Sequence, residues 1–319
     1  MSSSRLFSIL TCILSCLLHS FPLSGQAPAP RPYDQLIQPR EHKRYVEYQT
    51  HPLAEGRATG TQGSELVRRT IARKFEEFGL QKYRDSYTQS FKIDSVVARN
   101  IVGVIPAKYP SEEYVIVGAH YDHLGILDNK FYPGADNNAS GVASLLNLAR
   151  TFGQMKINRY PFSRNIIFVA FDANELDMKG SEYFVENMNL NPRQIVCMIN
   201  IDQIGCTFSP PGKDTNYVMV LGKDKLRKID SSKIDRANTK TGTGLVIDYT
   251  FYNSPDFYKI FYRLSDHYSF AKKGIPAVLF TSGITDRTYK VTDLEASICY
   301  PVLTARTRLI YHFICEEVK

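Results

Sequence analysis

Three apolar runs of this chain each end in polar side chains: His120 with Asp122, Asn174 with Glu175, and Asp202. Imidazole and carboxylate groups are common ligands of zinc, and a metal hydrolase arranges them around a bound water molecule. The residue types therefore predict a metal-dependent hydrolase.

His120 and Asp122 have the spacing of a ligand and its support. His120 can bind a metal through one ring nitrogen while Asp122 holds the other and fixes the orientation of the ring. An isolated pair of this kind is usually an ordinary surface pair. Here it follows the apolar run 115–119, and a buried strand has no other reason to end in such a polar group.

Further candidates lie elsewhere in the chain. Glu175 and Asp202 are candidate ligands by the same reasoning, and Asp136 or Asn137, in a glycine-flanked loop that opens a helix, could reach the same point. Asp266 and His267 form a later polar pair.

These residues must be positioned by the elements that precede them. From residue 114 onwards, apolar strand-like runs alternate with helical patterns, which predicts an α/β fold whose mostly parallel central sheet is covered by helices on both faces. In such sheets, ligand sites form at the carboxyl ends of the strands. His120, Glu175 and Asp202 therefore form a convergent cluster in this prediction.

Charge argues against a nucleic-acid-binding protein. The chain has 39 basic and 32 acidic residues, a net charge of +7 over 319 residues. The one dense basic stretch, 213–240, is interrupted by aspartates and lacks the unbroken basic face that nucleic acids require. We expect no nucleic-acid partner.

The N-terminus has the layout of a secretory signal peptide. Arg5 precedes the apolar run 6–18, and small residues follow, so we expect residues 1–25 to be removed and 26–319 to form a single domain. The predicted location is secreted or periplasmic, and Cys16 leaves a lipoprotein as the alternative. No later segment is apolar and long enough to span a membrane.

The mature chain would retain four cysteines. Sequence alone leaves open whether they form disulfides or remain thiols, and which pairs would form. They are Cys197, Cys206, Cys299 and Cys315.

The motifs resemble those of the zinc-dependent aminopeptidases, the family that also contains the glutaminyl cyclases. The matching segments are 114–141, 165–181, 195–205 and 264–280, and the stretch 265–276 is similar to secreted bacterial members. The resemblance implies a three-layer αβα fold of the zinc-exopeptidase type. It also implies peptide or protein N-termini as the substrates or partners.

Members of this family hold two zinc ions that an aspartate bridges. The resemblance places the first histidine ligand on His120, its orienting aspartate on Asp122, and two further ligands on Glu175 and Asp202. Asp266 and His267 fall in the supporting part of the pocket.

Three other positions depart from the family pattern. The bridging aspartate falls on Asn137, the base glutamate on Asn174 and the late histidine ligand on Tyr289. Two unit charges ~4 Å apart interact by ~4 kcal/mol at an effective dielectric constant of ~20, and two divalent ions multiply that repulsion. Neutral Asn137 cannot offset it, so we expect at most one zinc ion, or none.

Two functions from different classes follow. The first is a secreted metallo-aminopeptidase whose hydrolysis is impaired or lost. The second is a non-catalytic protein that binds peptides or a partner through the same cleft. A glutaminyl cyclase is a weaker third alternative. Its single zinc would need the positions of Asn137, Glu175 and Tyr289, and two of these, Asn137 and Tyr289, depart from the family pattern.

Overall fold

A computed structural model of the protein describes residues 32–207, 215–222 and 232–319. Tyr33–Lys319 belong to one compact unit. The predicted signal peptide, Cys16 and part of the basic stretch 213–240 lie outside the described residues.

Eleven strands occur in the described part of the chain. They are β1 (Gln81–Lys82), β2 (Thr88–Ile93), β3 (Val96–Ile105), β4 (Tyr114–His120), β5 (Gly125–Leu127), β6 (Lys130–Tyr132), β7 (Asn165–Phe171), β8 (Ile195–Ile201), β9 (Tyr217–Leu221), β10 (Val246–Asp248) and β11 (Ala277–Thr281). Nine of them form one sheet in the order β1-β3-β7-β4-β8-β11-β9-β10, with β2 also paired to β3. Strands β5 and β6 form a separate hairpin.

The centre of the sheet is parallel. Strand β4 pairs in parallel with β7 and β8, and β8 pairs in parallel with β11. Antiparallel pairs, β3 with β7 and β11 with β9, flank this centre. The predicted mostly parallel, mixed sheet is therefore confirmed. Its parallel strands bring the carboxyl ends of β4, β7 and β8 to one edge.

Helices cover both faces of the sheet. They are α1 (Pro39–Thr50), α2 (Gln62–Glu77), α3 (Gly141–Ile157), α4 (Lys179–Asn187), α5 (Ser232–Thr241), α6 (Pro255–Phe261), α7 (His267–Lys272) and α8 (Tyr300–Glu317). The apolar sides of α1, α2, α3 and α8 share one core cluster with the sheet, and those of α4 and α7 share another. This arrangement is the expected three-layer αβα fold.

The two central strands show why the sequence folds this way. All seven residues of β8 are buried, as are six of the seven in β7. A strand covered on both faces must be apolar along most of its length, and apart from Asn165 and Asn200 these runs are. The N-terminal cap of α2 is Thr61, whose hydroxyl accepts the Ser64 amide at 3.2 Å. Ser64 itself lies inside the helix.

The four cysteines of the mature chain are all unpaired. Cys197, Cys206 and Cys315 are buried, and Cys299 is half-buried. The structure thus has thiols at each of these positions.

Candidate functional site

The site begins where β4 and β8 end. His120 is the last residue of β4, and Asp202 directly follows β8. The His120 Nε2 atom lies 3.3 Å from Asp202 Oδ1, and both residues are buried. The Ser265 hydroxyl donates a hydrogen bond of 2.6 Å to the other oxygen of Asp202. The parallel register of the sheet thus brings together two residues separated by 82 positions.

Asp122 supports this edge of the sheet. Its two carboxylate oxygens accept the backbone amides of Asn174 and Glu175, each at 3.0 Å. One oxygen also lies 3.5 Å from His120 Nδ1. Asp122 therefore holds the loop after β7 in place and faces the ring nitrogen that it was predicted to orient.

The loop that carries Asn137 is held from two sides. The carboxylate of Asp293 accepts the backbone amides of Asp136 and Asn137 at 2.9 and 3.0 Å. The buried guanidinium of Arg57 donates to the carbonyls of Gly134 and Asn137 at 2.6 and 3.2 Å. Both the amide and the carbonyl of Asn137 are thus fixed by side chains distant in sequence.

Asp136, which the sequence offered as an alternative ligand, has a different place. Its Oδ1 atom accepts the amides of Gly205 and Cys206 at 2.6 and 3.2 Å and the Ser140 hydroxyl at 3.1 Å. These bonds tie the loop to the segment after β8. These contacts engage Oδ1 and leave Oδ2 without a hydrogen-bond partner among the described residues, so a ligand role for Asp136 stays a prediction.

Asn137 and Glu175 contact each other. The Asn137 side-chain amide donates to Glu175 Oε1 at 3.4 Å, and His123 Nδ1 lies 3.1 Å from the same oxygen. The Glu175 carboxylate is therefore already engaged by two neighbours.

Asn174, at the position of the base, points towards Asp266. Its side-chain amide donates a hydrogen bond of 3.1 Å to Asp266 Oδ2. Asp266 and His267 are both fully buried, and the ring of His267 packs edge-on against Tyr262 with centroids 4.7 Å apart. The place of this pair in the supporting part of the pocket stays a prediction.

Tyr289 lies at the mouth of the site and is 51% exposed. Its ring is parallel to that of His123, with centroids 6.3 Å apart, and its hydroxyl interacts with Asn137. Burial of the hydroxyl and the nearby carboxylates of Glu175 and Asp202 raise the pKa of Tyr289 above its ordinary value. In the metal-free chain Tyr289 is therefore a neutral phenol at neutral pH.

Burial and charge also shift the acids and bases of the floor. Burial lowers the pKa of His120, but Asp202 and Asp122 outweigh it and raise that pKa well above its ordinary value. Burial raises the pKa of Glu175 and of Asp266 to about 7 in each case. Burial and the charge of Arg57 lower the pKa of His123 to about 3.

The structure links most of the predicted site residues into one connected set. They are His120, Asp122, Asn137, Asn174, Glu175, Asp202, Asp266 and Tyr289. Sequence reasoning assigned no role to His123, Arg57 or Asp293. His123 could have been found from its place in the motif that follows β4, but no local pattern marks Arg57, which lies 80 positions from Asn137.

These residues do not fit a pair of zinc ions. Within the described ranges, no group of three or more His, Cys, Asp or Glu is arranged to hold a metal ion. The bridging position carries an amide whose nitrogen faces Glu175, and the late ligand position carries a phenol with a raised pKa. Zinc ligands in proteins are thiolates, imidazoles and carboxylates, and here His120 and Asp202 lack enough companions of those types.

Comparison with known proteins identifies the family. The sequence profile of Peptidase family M28 matches residues 100–314. The chain belongs to this family. The family resemblance inferred from the motifs is thus confirmed.

Two relatives and one solved structure illustrate the range of the family. Aminopeptidase YwaD of Bacillus subtilis is 28% identical over 142 residues, which cover 41% of this chain and 29% of that protein. Transferrin receptor protein 2 of Homo sapiens is 27% identical over 201 residues, covering 61% of this chain and 24% of the receptor. The chain thus spans less than a third of either relative.

The fold match covers more of the chain. The structure of BSAP, a zinc aminopeptidase from Bacillus subtilis, superposes with a TM-score of 0.67 at 15% identity, covering 89% of this chain and 96% of BSAP. At that identity the likeness establishes the fold alone.

Proposed function

We propose that this chain is a member of the peptidase family that does not hydrolyse peptides and instead binds the N-termini of peptides or proteins in the inherited cleft. The proposal rests on two amides. Asn137 donates a hydrogen bond to Glu175, and Asn174 donates one to Asp266.

The charge balance explains why these two contacts matter. A carboxylate at position 137 or 174 would lie beside Glu175 or Asp266, and adjacent carboxylates repel unless a cation or a shared proton separates them. The amides turn both repulsions into hydrogen bonds. These two contacts therefore need no metal ion to separate the charges.

The loss of the base supports the same conclusion. An amide side chain cannot accept a proton from water at neutral pH, and general-base assistance contributes roughly 10²–10⁴ to a rate. The carboxyl group that contacts the Asn174 side chain is that of Asp266. It is fully buried and already accepts the Asn174 amide. We therefore propose that the hydrolytic step is lost.

The carboxyl groups of the floor can accept hydrogen bonds from an ammonium ligand, and such a ligand would favour the ionised form of Glu175, whose pKa burial raises to about 7. The side chains of Glu175 and Asp202 retain 13% and 10% exposure, so both carboxylates can be reached from the cleft. An N-terminal ammonium would add a third hydrogen-bonding partner to Glu175. The relative named as a transferrin receptor supports a binding role for this fold, since that name describes a receptor and no peptidase.

Peptide binding tests the proposal. One peptide sequence is prepared with a free N-terminus and with an acetylated one, and its affinity for the mature chain is measured calorimetrically. We expect acetylation to weaken binding by roughly tenfold or more, because it removes a charge that pairs with a nearly buried carboxylate.

Matched variants locate the binding. Glu175→Gln should weaken binding of the free peptide, whereas Glu76→Gln, on the exposed face of α2, should not. Equal affinities for the two peptides would contradict the proposal. Cleavage of the first residue from the free peptide, detected by mass spectrometry, would also contradict it.

Zinc enters this proposal as one ion at most. His120 and Asp202 supply an imidazole and a carboxylate, and the Asn137 side-chain oxygen could complete a weak site with them. We further propose that the chain is exported, on the strength of the N-terminal sequence. None of the described helices is both long and apolar enough to cross a membrane. N-terminal sequencing of the exported protein should begin near residue 26, and an intact Met1 would contradict export through cleavage.

A further inference from the structure

Two adjacent cavities lie away from the candidate site. Their volumes are about 680 and 720 Å³, and Tyr262 and Tyr268 line both of them. The first is bordered by Ile195 and Pro276, which stand at the amino ends of β8 and β11. The candidate site occupies the carboxyl ends of the same strands, so the first cavity lies at the opposite edge of the sheet. The two cavities together are here named the tyrosine groove, and its Tyr262 also contacts His267 of the candidate site.

Tyrosine rings fix the shape of the groove. The rings of Tyr258 and Tyr262 are parallel with centroids 6.2 Å apart, and Tyr268 meets Tyr262 edge-on at the same distance. The Tyr258 hydroxyl accepts the Gly222 amide at 2.6 Å. Rings that pack against one another in this way lose little conformational freedom when a ligand binds.

The charge of the lining is of one sign. Five cationic side chains border the groove, and none of its lining residues in the described chain is Asp or Glu. These cations are Arg193, Lys259, Arg263, Lys272 and Lys273. A pocket with that balance attracts anions and repels cations.

Three of these cations have weak partners. Lys259, Lys272 and Lys273 lie 3.2, 3.6 and 3.6 Å from carboxylates that are not part of the lining. Their side chains are 71%, 45% and 49% exposed, and exposed ion pairs of this type contribute little, so the lysines can turn towards a ligand. Among the described residues, no carboxylate lies within salt-bridge distance of Arg193 or Arg263.

We propose that the tyrosine groove binds an acidic peptide segment that carries aromatic or apolar residues between its carboxylates. Tyrosine and arginine are the residues that most often dominate protein–peptide interfaces. The carboxylates would meet the five cations, and the apolar residues would pack against the half-buried side chains of Tyr258 and Tyr268. Asn191 and Asn253 border the two cavities and offer amide groups to a peptide backbone.

Single-stranded nucleic acid is the rival polyanion. It would need aromatic faces open for base stacking. Here Tyr262 is only 9% exposed, and its ring is covered by Tyr258 on one face and by the edge contact with Tyr268. The geometry therefore favours a peptide.

The probe is a short peptide in which Glu alternates with Phe, capped at both ends so that it offers no N-terminal ammonium to the candidate site. Its control contains Gln in place of every Glu. Fluorescence anisotropy with the mature chain should show binding of the acidic peptide, and at least about tenfold weaker binding of the control.

Charge reversal assigns the site. The double variant Arg193→Glu and Arg263→Glu should abolish binding, whereas Lys92→Glu, on exposed β2, should leave it unchanged. Both changed arginines are exposed, and circular dichroism will confirm that the variant is folded. Unchanged binding in the double variant, or equal affinity for the two peptides, would overturn the proposal.

Two further arms separate this site from its alternatives. An oligonucleotide that binds more tightly than the peptide, and loses binding in the double variant, would overturn the assignment of a peptide ligand. Glu175→Gln should not affect binding of the capped peptide, so failure here and failure of the proposed N-terminus binding are separate results.

Discussion

The candidate site divides into supporting residues, here called the frame, and predicted ligand positions, and the two groups differ. The frame consists of Arg57, Asp122 and Asp293, whose side chains bind backbone groups of the loops that carry the site. The ligand positions that depart from the family pattern are Asn137 and Tyr289, together with Asn174 at the position of the base. Every frame residue makes its hydrogen bonds to the backbone, whereas these three positions carry groups poorly suited to zinc chemistry.

The difference follows from what each group does for folding. A frame residue satisfies buried amides and carbonyls, which would otherwise remain unpaired at considerable cost. The fold needs those bonds whether or not the protein is an enzyme. Ligand carboxylates repel one another in the absence of metal, so their replacement by amides costs the fold little.

The largest expected effect comes from Arg57. Its guanidinium donates to the carbonyls of Tyr121, Gln49, Pro133, Gly134 and Asn137, and it is fully buried. Arg57→Ala would leave these acceptors unpaired, so we expect the free energy of unfolding to fall by about 3 to 5 kcal/mol in urea titrations. Arg73→Ala, whose pair with Glu77 is exposed, should cost at most about 1 kcal/mol and is the control. If Arg57→Ala lowers the free energy of unfolding no more than Arg73→Ala does, the distinction between frame and ligand positions fails.

Asp122→Asn should have the next largest effect. An asparagine can accept one of the two amides that Asp122 accepts, but its own amide nitrogen would face the other. We expect a loss of about 2 kcal/mol in the same titrations, since hydrogen bonds to charged groups contribute about 1.5 to 3 kcal/mol. Asp256→Asn, whose side chain is 91% exposed, is the neutral reference.

In the metal-free chain, the contribution of Glu175 to stability should depend on pH. Burial raises the pKa of Glu175 to about 7 in the folded state, above its ordinary 4.5. The folded state therefore binds a proton more readily than the unfolded state, and this group makes the protein more stable as pH falls from about 7 to about 4.5.

Glu175→Gln removes that dependence. With chelator present, the variant should be more stable than the wild type at about pH 8, by an amount of the order of 1 kcal/mol, and the advantage should vanish near pH 4.5. Thermal unfolding at several pH values provides the measurement. A variant less stable than wild type at alkaline pH would show that Glu175 belongs to the frame.

The smallest effect is expected at Asn174. Its side chain makes one hydrogen bond, to Asp266, and lies at a partly exposed position. Asn174→Ala should lower the free energy of unfolding by about 1 kcal/mol, because Asp266, whose pKa burial raises to about 7, can take up a proton when it loses this partner. A loss as large as that of Asp122→Asn would place Asn174 in the frame and remove the distinction drawn here.

The sequence predicted the strands better than the frame. The bounds of β7, β8 and β9 agree residue for residue with the apolar runs, because strands covered on both faces must be apolar along most of their length. The polar residues that follow β4, β7 and β8 converge because parallel strands end at the same edge.

The rest depended on contacts between distant residues. Nothing near Arg57 in the sequence reveals the loop 80 positions away that it holds, and Asp136 could not be told from Asn137 as the residue facing the metal position. The structure shows that Asp136 Oδ1 bonds to the segment after β8, whereas the side chain of Asn137 contacts Glu175.

The zinc content of the mature chain tests the central claim most directly. Zinc and protein are quantified after saturation with zinc and dialysis, for the wild type and for the variant Asn137→Asp, Asn174→Glu and Tyr289→His. The intact frame should place the restored ligands correctly, so we predict at most one zinc ion per wild-type chain, no turnover of aminoacyl chromogenic substrates, and more zinc in the variant. Two zinc ions per wild-type chain together with turnover would contradict the account.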